Sequence, residues 1–330
     1  MDFTVLLNMM PTAIAQGLIW GIMAIGVYLT YKVLDIADLT VDGSMCTGAA
    51  VTVVMFMKGY NAWVATIAGI IAGVIAGLVT GILHVVMGIP AILAGILSQI
   101  ALYSVNLKIL DDQSNRPLPI DKYDVFISSR YNTGVVFYKN TIFIVACITV
   151  VLIAVLYWFF GTELGCSMRA TGNNPNMSRA QGINTKLNTV IGLMISNGIV
   201  AFSSSLYGQC QGFVDINMGR GAIVIGLAAV IIGNVIFSRI FRNFALQLLS
   251  VSIGAVIYFI VLNVVIWLGV DTNLLKVFQA LIVAIFLAFP YWKRMYVPML
   301  KSINKRRSIR KQNKAVLAAR TVSKDYREVK

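Results

Sequence analysis

The chain has 330 residues, of which 58% are hydrophobic and 12% are charged, and its formal net charge at pH 7 is +14. Because average soluble domains carry about 25% charged residues, this composition argues against a water-soluble fold and for an integral membrane protein. The basic excess is concentrated in residues 301–330, directly after the last apolar run. That position favours a cytosolic tail that obeys the positive-inside rule over a nucleic-acid-binding surface.

Long apolar runs dominate the sequence, and they match the roughly 20 residues that a helix needs to cross a bilayer. They are apolar nearly all round, whereas a core helix of a soluble protein keeps a polar face. The expected fold is all-α: a polytopic membrane bundle of about nine transmembrane helices over residues 1–298, followed by a basic cytosolic tail over 299–330. The runs lie at 11–31, 43–57, 62–86, 89–107, 141–160, 187–207, 221–237, 244–268 and 274–292.

The second run is short, and it follows the polar stretch DIADLTVDGS at residues 35–44. Polar backbone at membrane depth must lie in protein or water rather than in lipid, so this stretch predicts a broken or partly unwound helix. Asp38 and Asp42 are four residues apart and could share one face of a helix, but an extended turn fits the sequence equally well. A catalytic pair of carboxylates is not favoured here.

The third run carries a glycine at every fourth position: Gly69, Gly73, Gly77 and Gly81. On a helix these residues form one groove, and in a membrane such a groove lets another backbone approach closely. The groove is expected to hold either a neighbouring helix of the same chain or a second copy of the chain.

Ionisable residues are almost absent from the apolar runs, with His84 and Lys276 near the ends of two of them. Ion-coupled carriers usually bury such groups on the ion path, so their absence argues against ion coupling. Neutral polar residues are concentrated on the fourth, sixth and seventh runs. They either bond a neighbouring helix or line a polar path. The candidates for a substrate path are Gln99, Tyr103, Asn106, Asn197, Ser204, Gln209 and Asn234.

The sequence contains no P-loop, the glycine-rich loop that binds nucleotide phosphates. Its single histidine, His84, nearly excludes histidine triads and histidine metal sites. We therefore expect no catalytic residues, no metal site and no cofactor in this chain, and any ATP hydrolysis would occur in a separate subunit.

A polar segment, RATGNNPNMSRAQGIN at residues 169–184, separates two of the long runs. Asn174 is a favoured N-cap residue, Pro175 suits the first helical position, and Gly182 is typical of the residue that ends a helix. These signals predict a short helix over residues 175–181 on the cytosolic surface, where a soluble partner could dock. Its exposed residues are expected to include Asn176, Ser178 and Arg179.

The basic tail predicts a cytosolic C-terminus, and nine crossings then place Met1 outside. This orientation puts Arg169, Arg179 and Lys186 together in one cytosolic loop, as the distribution of basic residues favours.

Three stretches resemble ABC importer permeases of the ribose and branched-chain amino acid type, over residues 11–291. Residues 38–44, DLTVDGS, are similar to the family's D-L-S-V-G-S turn but have the additional Asp42. Residues 226–233, GLAAVIIG, resemble a glycine-bounded segment of the family. The DLTVDGS turn and residues 101–107, ALYSVNL, are most similar to the subgroup linked to tryptophan or tyrosine uptake. The stretch that resembles the cytosolic coupling motif consists of Gly165, Ala170, Gly172, Asn174, Arg179, Gly182, Ile183 and Asn184.

The resemblance implies a permease subunit of an ATP-driven importer, for an amino acid such as an aromatic one, in the bacterial cytoplasmic membrane. Its expected partners are two copies of an ATP-binding subunit that holds ATP and Mg, an extracytoplasmic substrate-binding protein and a second permease copy. An ion-coupled secondary transporter and a non-transporting membrane scaffold are the alternatives. The residues expected to couple the chain to the ATPase are Arg169, Gly172, Asn174, Pro175, Arg179 and Gly182.

Overall fold

The computed structural model describes residues 3–119, 123, 125–127, 140–237, 241, 243–269, 271, 274–288 and 291–292. The chain divides into a compact unit of residues 1–283 and a second unit of residues 284–330. The basic tail expected at 299–330 lies outside the described residues, and so do residues 120–122, 124 and 128–139 between the fourth and fifth apolar runs.

Helices make up most of the described chain, and seven of them are long and apolar enough to cross a membrane. The all-α polytopic bundle is confirmed, but nine spans are not, because α9 and α11 fall short of that length. The helices are α1 (Phe3–Tyr28), α2 (Thr40–Met57), α3 (Ala62–Val85), α4 (Ala91–Ile109), α5 (Thr141–Gly161), α6 (Glu163–Asn173), α7 (Pro175–Ala180), α8 (Thr185–Gln211), α9 (Ala222–Phe237), α10 (Phe244–Trp267) and α11 (Leu275–Ala288).

The second helix is continuous, so the prediction that it is broken is wrong. α1 ends in a π-helical turn, Leu29–Val33, and the irregular segment is 34–39, before α2 begins. The Thr40 amide donates to Asp38 Oδ1 at 2.9 Å, which satisfies a free N–H at the start of the helix. The Ser44 hydroxyl donates to Asn197 of α8 at 2.7 Å. The polar side chains of this stretch therefore find partners inside the bundle, and the helix does not have to unwind.

The glycine groove of α3 is filled by α8 of the same chain. A Cβ added at Gly77 would overlap the Leu193 carbonyl oxygen and lie 2.8 Å from Met194 Cα. A Cβ added at Gly73 would overlap Ala201, and one at Gly81 would meet Val190. The two backbones thus approach as closely as small residues permit, and packing within one chain accounts for the groove.

The core lies where α1, α8 and α10 meet. Trp20 of α1 packs edge-on against Tyr207 of α8, with ring centroids 5.7 Å apart, and also contacts Phe259 of α10. By contrast, α4 and α5 are largely exposed. The exposed part of α4 includes Tyr103 and Ser104, which are polar residues in the middle of a spanning helix.

Two short strands, β1 (Asn115–Pro117) and β2 (Phe213–Asp215), form an antiparallel pair. β2 follows α8 directly, and the chain then turns through residues 216–221 before α9 begins. The pair was not predicted from the sequence.

Candidate functional site

The short helix predicted in the 169–184 segment is present as α7, and both of its ends are capped as expected. The Asn174 side chain accepts a hydrogen bond from the Met177 amide at 3.0 Å, and Pro175 occupies the first turn. Gly182 has φ of 78°, and the Ile183 amide donates back to the Ser178 carbonyl at 3.0 Å. This pairing, with a left-handed glycine, is how helix C-termini are commonly closed.

One side of α7 faces solvent and the other faces the protein. Asn176 and Arg179 are exposed, as expected, and Met177 is 62% exposed. Ser178 is only 2% exposed, so the expectation that it faces solvent is wrong. Its hydroxyl donates to the Asn174 carbonyl at 3.0 Å, which turns this side chain back onto the helix.

The preceding helix α6, which the sequence did not predict, mounts α7 on the bundle. A Cβ at Gly172 would overlap the Val33 carbonyl oxygen and lie 2.8 Å from Leu34 Cα. The two backbones therefore touch, and no side chain fits between α6 and the end of α1. Asn188 of α8 donates to the Thr171 hydroxyl at 3.2 Å, which ties α6 to a second helix.

Two arginines brace the same region. Arg169 donates to the Phe160 carbonyl of α5 at 2.8 Å, and its guanidinium lies 5.7 Å from the ring centroid of Phe244 of α10. Arg179 donates to the Thr185 hydroxyl, at the start of α8, at 3.0 Å. Through these contacts α6 and α7 reach four spanning helices, α1, α5, α8 and α10. The two short helices are therefore anchored to four of the spanning helices.

Three of the candidate path residues are fully buried, and two of them, Asn197 and Gln209, bond other elements of the bundle. Asn197 donates to Asp38 at 2.7 Å and accepts from Ser44. Ser204 donates to a carbonyl of its own helix at 2.9 Å. Gln209 donates to Thr66 of α3 at 3.0 Å and accepts from a backbone amide near the strands. The contacts of Asn197 and Gln209 hold helices together, and Asn234 is half-buried on α9.

The other three path candidates, Gln99, Tyr103 and Asn106, meet at one cavity of about 350 Å³. The cavity lies between α2, α4 and the turn after β2. Sequence reasoning did not place Asp42 or Arg220 here, although Asp42 stood out as an additional residue. The remaining lining residues are Asp42, Gly43, Cys46, Ile100, Ser104, Ile216 and Arg220.

The expectation that the middle of the bundle contains no ionisable side chain is also wrong. Asp38 is 2% exposed and bonds Asn197, which is next to the middle residue of α8. The Thr40 amide and the Asn197 side chain both donate hydrogen bonds to this carboxyl. The connection 34–39 folds back into the bundle, and a linear reading of the apolar runs cannot show this. The absence of buried carboxylates is therefore no longer an argument against ion coupling.

Comparison with known proteins matches this chain to one family of membrane permeases and to two related proteins. Residues 9–289 match the family model described as "Branched-chain amino acid transport system / permease component". The tyrosine transport system permease protein of Clostridioides difficile (strain R20291) is 38% identical over 277 residues, which cover 84% of this chain and 90% of that protein. An uncharacterized protein of Rickettsia prowazekii (strain Madrid E) is 33% identical over 286 residues, which cover 86% of this chain and 98% of that protein. No solved structure matches the chain.

The family match spans most of the chain, and the two relatives align over nearly their whole lengths. The family implies ATP-binding and substrate-binding partners in general. Together with the apolar helices, these matches establish a multi-pass inner-membrane protein. The chain belongs to the branched-chain amino acid permease family and is a permease subunit of an ABC transporter, similar to the tyrosine type.

Proposed function

We propose that this permease subunit imports an aromatic amino acid, driven by ATP hydrolysis in partner subunits that act on α7. The observation that carries the proposal is α7 itself, a short helix capped at both ends. Its exposed face carries Asn176, Met177 and Arg179, and α6 mounts it directly against α1. A rigid, exposed helix of this kind can receive a displacement from a neighbouring subunit and pass it to the bundle.

In this proposal two copies of the chain form the transport path, and each α7 contacts one of two ATP-binding subunits. ATP and Mg are bound by those subunits, and this chain supplies no cofactor site. Six residues support this contact, because they cap α7, allow α6 to pack against α1 or bond neighbouring helices. They are Arg169, Gly172, Asn174, Pro175, Arg179 and Gly182. An extracytoplasmic binding protein delivers the amino acid, with Met1 outside and the basic tail in the cytosol.

The aromatic substrate is supported by similarity to a protein described as a tyrosine permease. It is also consistent with a cavity that contains Tyr103 beside one carboxylate and one guanidinium. A neutral, zwitterionic solute fits such a mixed lining better than a polyanion does.

Ion-coupled transport remains the alternative, because the buried carboxylate of Asp38 is the type of group that proton-coupled and sodium-coupled carriers use. A scaffold without transport activity would leave the polar cavity unused.

Uptake in proteoliposomes distinguishes these functions. The vesicles contain the full chain with its ATP-binding subunit, and the binding protein is added outside together with labelled L-tyrosine or L-tryptophan. We expect uptake that requires ATP on the side of α7 and stops when the catalytic base of the ATP-binding subunit is removed. L-leucine and L-glutamate serve as comparison solutes.

Vesicles that contain the chain alone are the control for ion coupling. A proton or sodium gradient should drive no uptake in them. Accumulation of either aromatic amino acid under a gradient, without the ATP-binding subunit, would establish the alternative and reject an ATP-driven mechanism.

A further inference from the structure

The cavity between α2, α4 and the turn after β2 lies at the middle of a spanning helix. Ile100 is the central residue of α4, and Gln99 and Tyr103 beside it line the cavity. Tyr103 is 42% exposed. Polar groups at this depth do not face lipid without cost, and they commonly mark a substrate site. The volume of about 350 Å³ is at the small end of the range for small-molecule pockets, so a single amino acid is a suitable size.

Arg220 is brought to this depth by the turn that follows β2. Its guanidinium lies 5.9 Å from the ring centroid of Tyr103. Among the described residues, ion pairs are formed by Lys108 with Asp112 and by Arg116 with Asp111, and no carboxylate pairs with Arg220. Arg220 lies in the turn before α9 and is exposed, so its guanidinium is available to bind an anion.

Asp42 holds this turn in place instead of neutralising Arg220. Its carboxylate accepts hydrogen bonds from the Gly221 and Ile223 amides, both at 3.0 Å. A Cβ at Gly219 would overlap the Asp42 carbonyl oxygen, so the turn lies directly on α2. The N-terminus of α9, which could otherwise bind a ligand carboxylate, is thus already capped. Arg220 is left as the group available for an anion.

Asn106 provides a second polar group with unused bonding capacity. It lines the cavity, is 1% exposed, and donates to the Gly43 carbonyl at 3.3 Å. Its Oδ1 has no hydrogen-bond partner among the described residues. Buried amide oxygens are nearly always satisfied, and a ligand N–H would satisfy this one.

We propose that this cavity is a subsite for the zwitterion of an aromatic α-amino acid, with Arg220 binding the carboxylate and Asn106 Oδ1 accepting from the ammonium. Tyr103 and Ile100 contact the aromatic side chain. Asp42 is a positioning residue, because it fixes the backbone on either side of Ala222, the first residue of α9, and hence the place of Arg220. The inference rests on the proposed function for the class of solute, but it assigns that solute a site within the permease subunit.

Ligand-dependent thermal unfolding of the purified full chain tests the subsite without ATP or partner subunits. L-Tryptophan carries all three recognised groups, whereas tryptamine lacks the carboxylate, indole-3-propionate lacks the ammonium and L-alanine lacks the ring. We expect L-tryptophan to raise the unfolding temperature saturably, and each analogue to bind at least about tenfold more weakly because one charge-assisted contact or the ring contact is missing.

Arg220→Gln should weaken L-tryptophan binding to the level of tryptamine and leave tryptamine binding unchanged. Lys108→Gln is the matched control, since it removes one positive charge from the exposed end of α4 outside the cavity, and it should bind L-tryptophan as the unmodified chain does.

Equal binding of L-tryptophan and tryptamine by the unmodified chain would overturn the proposal even if Arg220→Gln failed to fold. Unchanged L-tryptophan binding in Arg220→Gln, or an equal loss in Lys108→Gln, would overturn it as well. Since none of these measurements involves transport, loss of ATP-driven uptake and loss of the subsite would be recognised separately.

Discussion

Replacing Pro175 by glycine together with Gly182 by valine is expected to abolish ATP-driven uptake while the complex continues to hydrolyse ATP. Valine at the φ of 78° that Gly182 adopts costs about 1–3 kcal/mol, and glycine in place of proline costs a further 0.4–1 kcal/mol or so. A six-residue helix has little stability of its own, so α7 should lose its fixed shape. We expect uptake to fall by at least about tenfold, because a loss of about 1.4 kcal/mol in the stability of α7 corresponds to a factor of ten. Uptake and phosphate release are measured in the same vesicles.

Gly59→Val is the matched control for this variant. Gly59 also has a positive φ, 84°, and open space around it, but it lies in the turn between α2 and α3. It should carry a similar backbone strain and leave uptake per ATP hydrolysed unchanged. Tight coupling in the double variant, or equal uncoupling in Gly59→Val, would contradict the role assigned to α7.

Gly77→Val is expected to cause the largest loss of stability of any single substitution considered. The valine side chain would meet the backbone of α8, at the Leu193 carbonyl and Met194 Cα. Backbone cannot move aside as a flexible side chain can, so the helices must separate. Overpacking in well-packed cores costs about 1–3 kcal/mol, occasionally more, and this site should lie at or above the upper end. Thermal unfolding of the purified chain, followed by intrinsic fluorescence, measures the loss.

Gly161→Val provides the comparison, because a Cβ at Gly161 meets nothing within 4 Å. Its unfolding temperature should remain close to that of the unmodified chain. If Gly77→Val unfolded at the same temperature as Gly161→Val, the close packing of α3 on α8 would be refuted.

The features that the sequence predicted well are those determined by neighbouring residues. Asn174 caps α7 three residues ahead of Met177, and Gly182 ends it within the next turn. Apolar runs likewise predicted most spanning helices, since helix formation in a membrane depends on local composition. Only local chemistry is needed for such predictions.

The features that the sequence did not reveal depend on residues far apart in the chain. Asp42 caps α9 through amides about 180 positions away, and Arg220 meets Tyr103 only after β2 turns the chain back. Asp38 likewise lies inside the bundle, where it accepts a hydrogen bond from Asn197 of α8. No periodicity or spacing encodes these contacts, so the cavity and the buried carboxylate could be found only from the fold.

A cross-link from the exposed face of α7 in the assembled complex tests most directly whether the ATP-binding subunit contacts this helix. Cys147 and Cys166 are exposed, and both are first replaced by alanine. A photoreactive maleimide is then attached at Asn176→Cys or at Tyr60→Cys. The C-terminal end of α3, at His84 and Val85, lines the same cavity as Pro175 and Arg179. Tyr60 is 50% exposed and lies just before the other end of α3.

We expect an adduct with the ATP-binding subunit from position 176 and none from position 60. The absence of that adduct from position 176 in a complex that transports, or its equal formation from both positions, would contradict the claim that force enters the bundle through α7.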